Sequence, residues 1–262
     1  MNNAIELSHV TKTYPTFTLQ DLSLTLPTGC IMGLVGENGA GKSTTLRLIM
    51  NTITRDSGEI TVLGQDNRSD AFRELKNDIG VVLDEAYFPE VLNPRQVGQV
   101  MAQTYTRWDE ATYAGYVDRF ALPWKQRFKD FSRGMKMKLA IAVALSHSPR
   151  LLLLDEATSG LDPIIRDEIL ESFSEFTRDE SHSVLLSSHI VSDLEKICDY
   201  IAFLHRGRLV LCEEKDALLE GCAIVQCTRA QLSDLPEEAV LGIDQSPYGV
   251  QALVRRELVS PV

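Results

Sequence analysis

The chain has 262 residues, 44% of them hydrophobic, with 26 Lys and Arg against 37 Asp and Glu and a formal net charge of −11. That size and apolar content suit one or two folded domains, exclude a disordered chain, and need no disulfide or metal to hold a core. The acidic balance argues against coating a phosphate backbone, so nucleic acid is not an expected partner.

No apolar run reaches the roughly 18 residues that a membrane span needs. Met1 to Val10 has no basic segment leading into a long apolar one, so no secretory leader is expected. The five cysteines, Cys30, Cys198, Cys212, Cys222 and Cys227, are odd in number and scattered, which suggests reduced thiols.

Ala4 to Val10 and Leu19 to Leu26 alternate apolar and polar residues and read as strands. Pro27-Thr28-Gly29 is a turn, and Cys30 to Val35 a short buried strand. A glycine-rich loop leads into a helix from Lys42 to about Met50. Ile60 to Leu63 and Ile79 to Leu83 are further strands. From about residue 86 to 149 the pattern is helical and strand-poor, and Pro149 closes a helix through Leu139 to Leu145. Leu151 to Leu154 is a wholly apolar strand and Ile164 to Thr177 an amphipathic helix. Val184 to Ser187 is a strand, Ile190 to Cys198 a helix, and Ile201 to Leu204 and Arg208 to Leu211 strands. Residues 221–262 form a short mixed extension with strand-like pieces at Ala223 to Cys227 and Gly249 to Val254. Strands alternating with helices predict an α/β fold with a mainly parallel core sheet and an inserted helical block.

Gly36-Glu37-Asn38-Gly39-Ala40-Gly41-Lys42-Ser43 fits G-x-x-x-x-G-K-[ST] in full, between a strand and a helix. Gly39 and Gly41 let the backbone approach phosphate, and the helix N-terminus attracts anions. Lys42 can reach the β- and γ-phosphates, the Ser43 hydroxyl can bind Mg²⁺, and Thr44 follows in the first turn. The N-K-x-D pattern that reads guanine is absent, which favours ATP. Ligands of parallel sheets sit beyond strand carboxyl ends. Asp155, closing the leucine strand, can therefore hold Mg²⁺, and Glu156 can act as general base on water.

Phe131-Ser132-Arg133-Gly134-Met135-Lys136 lies just before a helix, about twenty residues ahead of the acidic strand end. This segment resembles the L-S-G-G-Q signature of ABC-type ATPases. The resemblance covers residues 1–220 and keeps the family order: an aromatic at Tyr14, the phosphate loop, a Gln-loop region, the signature, the acidic strand, Ser159-Gly160-Leu161-Asp162, then His189. It implies a P-loop fold with an N-terminal antiparallel β piece. It also implies that Tyr14 stacks on adenine, although a plain core or surface aromatic is the alternative. Ser132, Arg133 and Gly134 would contact ATP bound to an opposite subunit, Asp162 would lie near that interface, and His189 would orient the attacking water. Two departures stand out. Arg133 replaces the first signature glycine. Asp84, in Ile79 to Glu85, stands where the family has glutamine; it is either a Mg²⁺ ligand or a solvent-facing carboxylate.

The function this resemblance implies is ATP hydrolysis that powers a separately encoded membrane permease, gripped by the helical block around Tyr87 to Lys129. The partner ATPase would be a second copy or a similar chain, on the inner face of the cell membrane. The alternative is a soluble ABC ATPase acting on a ribosome or DNA; a small-molecule kinase would leave the signature and His189 unexplained. Charge is uneven along the chain. Residues 101–150 carry nine basic and four acidic side chains, and residues 151–200 three basic and twelve acidic. Arg133, Lys136 and Lys138 would surround the partner's ATP, while Glu168, Glu171 and Glu175 are expected to face solvent.

Overall fold

The computed structural model describes residues 3–84, 87–232, 235–246 and 249–259. Met1 and Asn2, Glu85 of the segment around Asp84, residue 86 at the expected start of the helical block, and the last three residues of the extension lie outside them. The chain divides into two compact units, Met1–Cys212 and Glu213–Val262.

In the first unit, β1 (Asn3–Tyr14) and β2 (Phe17–Pro27) form a hairpin. Then come β3 (Ile31–Val35), α1 (Lys42–Ile49), β4 (Ser57–Val62), β5 (Gln65–Asp66), α2 (Phe72–Leu75) and β6 (Ile79–Val82). The helical block holds α3 (Pro94–Thr104), α4 (Glu110–Arg119) and α5 (Arg133–Leu145). After it run β7 (Leu151–Asp155), α6 (Pro163–Phe176), β8 (Ser183–Ser188), α7 (Val191–Ile197), β9 (Tyr200–His205) and β10 (Arg208–Glu214).

Six strands form the central sheet in the order β10-β9-β3-β8-β7-β6, and the pairs β9-β3, β3-β8, β8-β7 and β7-β6 are parallel. Every residue of β7 is buried, because helices cover a parallel sheet on both faces. Its leucines alternate between two cores. Leu152 and Leu154 pack with Leu139, Ile141 and Phe173, while Leu151 and Leu153 pack with Leu46, Ile49 and Ile60. The second sheet, β2-β1-β4-β5, is antiparallel, so the expected fold class is present.

β1 runs four residues past the expected Val10. Register shifts flank Val10, and His9 stands at φ 51, so the bulge breaks the alternation that sequence reading follows. At the far end of α1, buried Asn67 donates its Nδ2 to the carbonyls of Leu48 and Ile49 at 2.7 and 3.0 Å. Its Oδ1 is held by Arg55, whose Nε donates to Gly58 at 2.9 Å. This clamp satisfies helix-end carbonyls from residues distant in sequence.

In the helical block, Asn93 and Gln96 form a reciprocal capping box with Pro94 at the first helical position. Tyr113 is fully buried and donates its hydroxyl to the Pro94 carbonyl at 2.7 Å. A Cβ on Gly98 would stand 2.6 Å from that ring, so α3 and α4 approach closely only because of the glycine. The acidic block does not simply face solvent. Glu168 pairs with Lys138 at 2.6 Å, and Arg119 pairs with both Glu171 and Glu175. Lys138 is therefore tied to α6 within the chain, and the charge asymmetry is partly an internal match between α4–α5 and α6.

The second unit holds α8 (Lys215–Gly221), β11 (Cys222–Cys227), α9 (Arg229–Leu232), β12 (Val240–Ser246) and β13 (Gly249–Arg255), with an antiparallel sheet β11-β13-β12. Sequence reading finds β11 and β13 but not β12, whose register shifts between Val240 and Gly242. Helices as short as α8 and α9 carry too few residues for a periodic signal. Among the described residues no helix is long and apolar enough to cross a membrane.

His147, just beyond α5, is fully buried and stacked on Tyr105 at 3.9 Å. Its Nδ1 lies 3.0 Å from the Asn77 carbonyl, and its Nε2 has no hydrogen-bond partner. Burial holds its pKa below the usual 6.5, opposed first by the hydrogen bond to the Asn77 carbonyl, with Arg107 lowering it further. The unfolded chain therefore takes up the proton first as pH falls. Stability from this group is full above about pH 6.5 and is lost as pH drops toward the folded pKa. Chemical denaturation between about pH 7.5 and 5.5 should show this slope, and His147→Gln should flatten it.

Candidate functional site

The phosphate loop connects β3 to α1 and closes on itself: Ala40 N–H donates to Glu37 at 3.0 Å, and Thr45 N–H to Gly41 at 2.9 Å. Gly39 and Gly41 take φ of 83 and 115, conformations that favour glycine. Gly36 is required by proximity, since a Cβ there would lie 2.4 Å from the Leu204 carbonyl of β9. No acidic residue occupies the first turn of α1, so its N-terminal N–H groups stay suited to an anion. Lys42 is buried. Its Nζ donates to the Gly36 carbonyl at 2.6 Å and lies 3.4 Å from that of Glu37.

The loop lines a cavity of about 510 Å³ that also takes in Ser43, Thr44, Asp84 and Glu156. Asn38, Gly39, Gly41 and Lys42 line it, whereas Ala40 is buried behind the loop. Phe17 lines the cavity, and Tyr14 does not. The Tyr14 ring stands 6.5 Å from that of Phe17, under Lys12. Phe17 lies over Gly41, where a Cβ would come 3.1 Å from its ring. It is an aromatic three residues past the one sequence reading singled out, on the other strand of the hairpin.

Asp155 is buried at the end of β7, and its Oδ1 accepts the Ser187 hydroxyl at 2.6 Å. Glu156 follows in the left-handed region at φ 51. Its N–H donates to Ser187, with both the carbonyl and the hydroxyl at 3.1 Å. The Glu156 carboxylate joins two elements. Oε2 accepts from His189 Nδ1 at 2.7 Å, which puts the proton on Nδ1. Oε1 lies 3.1 Å from Lys42 Nζ. That contact misses hydrogen-bond geometry, so Oε1 is ion-paired yet lacks a hydrogen-bond donor. The structure thus brings Lys42, Glu156 and His189 together from three separate loops.

Ser132, Arg133 and Gly134 do not line this cavity. Ser132 caps α5, accepting from Met135 N–H at 3.3 Å, and Gly134 lies against Ile165 of α6. The Arg133 guanidinium covers Gly160, where a Cβ would come within 2.9 Å of it. Arg133 also lines a second cavity of about 700 Å³ with Lys136, Phe128 and Asp84. Asp84 borders both cavities.

The oxygen donors Ser43, Asp155 and Asp84 are the hard ligands that Mg²⁺ prefers. Among the described residues there is no cluster of three or more His, Cys, Asp or Glu side chains able to cage a metal. Ser43 and Asp84 line the cavity and Asp155 directly precedes Glu156, which lines it too; one or two carboxylates plus substrate phosphates commonly hold Mg²⁺. Gly36→Ala should push the loop off β9. We expect nucleotide affinity to fall by about 10-fold or more in calorimetric titration, with a loss of about 1–3 kcal/mol in stability.

Residues 19–159 match the family described as ABC transporter. The lantibiotic transport ATP-binding protein SrtF of Streptococcus pyogenes is 34% identical over 215 residues, covering 81% of this chain and 91% of that protein. The bacitracin transport ATP-binding protein BcrA of Enterococcus faecalis is 32% identical over 213 residues, covering 80% of this chain and 69% of that protein. Among solved structures, an ATP-binding subunit of an ABC transporter superposes with a TM-score of 0.74 at 27% identity, over 82% of this chain and 91% of that one. A dimeric ATP-binding cassette bound to ADP and phosphate has a TM-score of 0.72 at 21% identity, over 80% of this chain and 98% of that one, a likeness of fold alone.

Proposed function

The chain belongs to the ABC transporter family as an ATP-binding subunit of exporter type, and from that premise we propose that its ATP hydrolysis powers a separately encoded membrane permease. The observation that carries the reading is the junction of Lys42, Glu156 and His189. Gly36, Asn38, Gly39, Ala40 and Gly41 form the cradle for the triphosphate, with Ser43 and Thr44 at the helix start. Lys42 moves from its loop carbonyls onto the β- and γ-phosphates. That uncovers Glu156 Oε1, which takes the proton of the water attacking the γ-phosphorus, while His189 holds Oε2 and fixes the carboxylate's aim. Adenine stacks on Phe17, which lines the cavity, with Tyr14 flanking it. Ser43 and Asp155, with Asp84 as a further ligand, would hold Mg²⁺, which when bound would supply positive charge against the triphosphate oxygens.

Ser132, Arg133 and Gly134 contact the nucleotide of a second subunit, a copy or a similar chain. A cassette of the same fold is dimeric, which is in keeping with a two-subunit form. The nucleotide domain lies within residues 1–220, its compact unit ending at Cys212 rather than at residue 220, with the helical subdomain at 86–149 gripping the permease and the remainder to residue 262 as an extension. The chain lies at the inner face of the membrane through that permease. The transport roles that SrtF and BcrA carry in their names favour this over a ribosomal or DNA-linked ATPase.

Two experiments test the reading. Co-expression with a multi-span membrane protein encoded beside it should yield a co-purifying complex whose ATP turnover falls by about 10³-fold in Glu156→Gln, with ATP still bound. Normal turnover in that variant removes Glu156 as base. Asp84→Gln should raise the Mg²⁺ concentration needed for half-maximal hydrolysis, and an unchanged Mg²⁺ dependence removes Asp84 as ligand.

A further inference from the structure

Arg166 and Asp193 carry no role above, yet they form an ionic contact, with Asp193 buried and Arg166 partly so, between the segments that follow Glu156 and His189. Asp193 lies in the first turn of α7, four residues after His189, and is 1% exposed. Its Oδ2 has no hydrogen-bond donor. Arg166, in the first turns of α6, brings Nη1 to 3.9 Å from Asp193 Oδ1, while its Nη2 donates to the Leu161 carbonyl at 3.2 Å. Its Nε is buried without an acceptor, as is Oγ1 of Thr158 earlier in the same loop.

A stretched, half-satisfied, partly buried ion pair is a poor source of stability, and an apolar pair of similar volume often does as well or better. Its geometry suggests a different use. One guanidinium ties the carbonyl of the 158–162 loop to the helix that follows His189. Glu156 leads into that loop through a turn, Ser159 N–H to the Glu156 carbonyl at 3.0 Å. His189 leads into α7 through another, Asp193 N–H to the Ile190 carbonyl at 3.2 Å. The bridge therefore closes a ring behind the 2.7 Å contact of Glu156 with His189. A planar guanidinium can serve two acceptors at a fixed angle, which an ammonium cannot.

We propose that Arg166 and Asp193 are positioning residues for hydrolysis: together they set the spacing between the Glu156 loop and the His189 loop. This rests on the reading of Glu156 and His189 given above. Misplacing a reacting group by about 1 Å can cost up to about 100-fold in rate. The strut should therefore matter for kcat and little for the ATP KM, because the phosphate loop is untouched.

The test compares full-length Arg166→Met, Asp193→Leu, the double variant and Arg166→Lys by kcat, KM for ATP, melting temperature and the NMR resonances of the His189 ring. Arg166→Met should lower the melting temperature, reduce kcat about tenfold and shift the His189 ring signals. The double variant removes both charges, so its melting temperature should recover while kcat and the ring signals do not. Arg166→Lys keeps the charge and should keep the melting temperature, yet lose kcat; it and the double variant carry the test if a single variant does not fold. Breaking the ion pair of Arg150 with Asp78 by Arg150→Met is the control, with kcat unchanged. Recovery of kcat along with stability in the double variant makes the pair merely structural and overturns the proposal. So do wild-type His189 ring signals in Arg166→Met. A wild-type chain that turns over no ATP would sink the functional reading instead, while the ring signals still judge the strut.

Discussion

The candidate site depends on holding the Glu156 carboxylate where three segments meet. Its backbone stands at φ 51, a conformation that costs a bulky residue about 1–3 kcal/mol and persists only when its surroundings insist on it. The insistence comes from β7 and β8. Ser187 accepts the Glu156 N–H and donates to Asp155, so the two strand ends are locked side by side. Those strands are buried throughout because both faces of the sheet are covered. The leucines that make the core are thus also what holds a strained carboxylate against Lys42 and His189.

The two departures from the family pattern look unrelated in the chain, nearly fifty residues apart. In space, Asp84 and Arg133 border one cavity, with Lys136 beside them. A carboxylate in place of an amide adds negative charge near the triphosphate site, and a guanidinium in place of a glycine adds positive charge in the same cavity. Arg133 also covers the loop at Gly160. The cation of the signature segment and the loop after the acidic strand therefore touch within one chain.

Charge along the sequence suggested a basic surface and an acidic surface. Much of that contrast is spent inside the fold, where Lys138 meets Glu168 and Arg119 meets Glu171 and Glu175. Helical spacing placed these acids on α6 correctly, but it cannot say which helix lies opposite. The same limit explains Phe17, a residue of a hairpin strand that reaches the cavity by folding over Gly41. It also explains the clamp of Asn67 and Arg55 on the end of α1.

The sequence by itself determined the α/β class, the phosphate loop, the acidic strand end and the family, because each is written in contiguous residues with a local physical signature. Glycines mark where backbone must approach phosphate, and leucines mark a strand with no wet face. Only the tertiary structure decided that Lys42, Glu156 and His189 converge, that Arg166 reaches Asp193, and that β1 runs on through a bulge. Those are contacts between segments far apart in the chain, chosen by how helices and strands pack. Packing depends on shape and distance in three dimensions, which no periodicity along one dimension records.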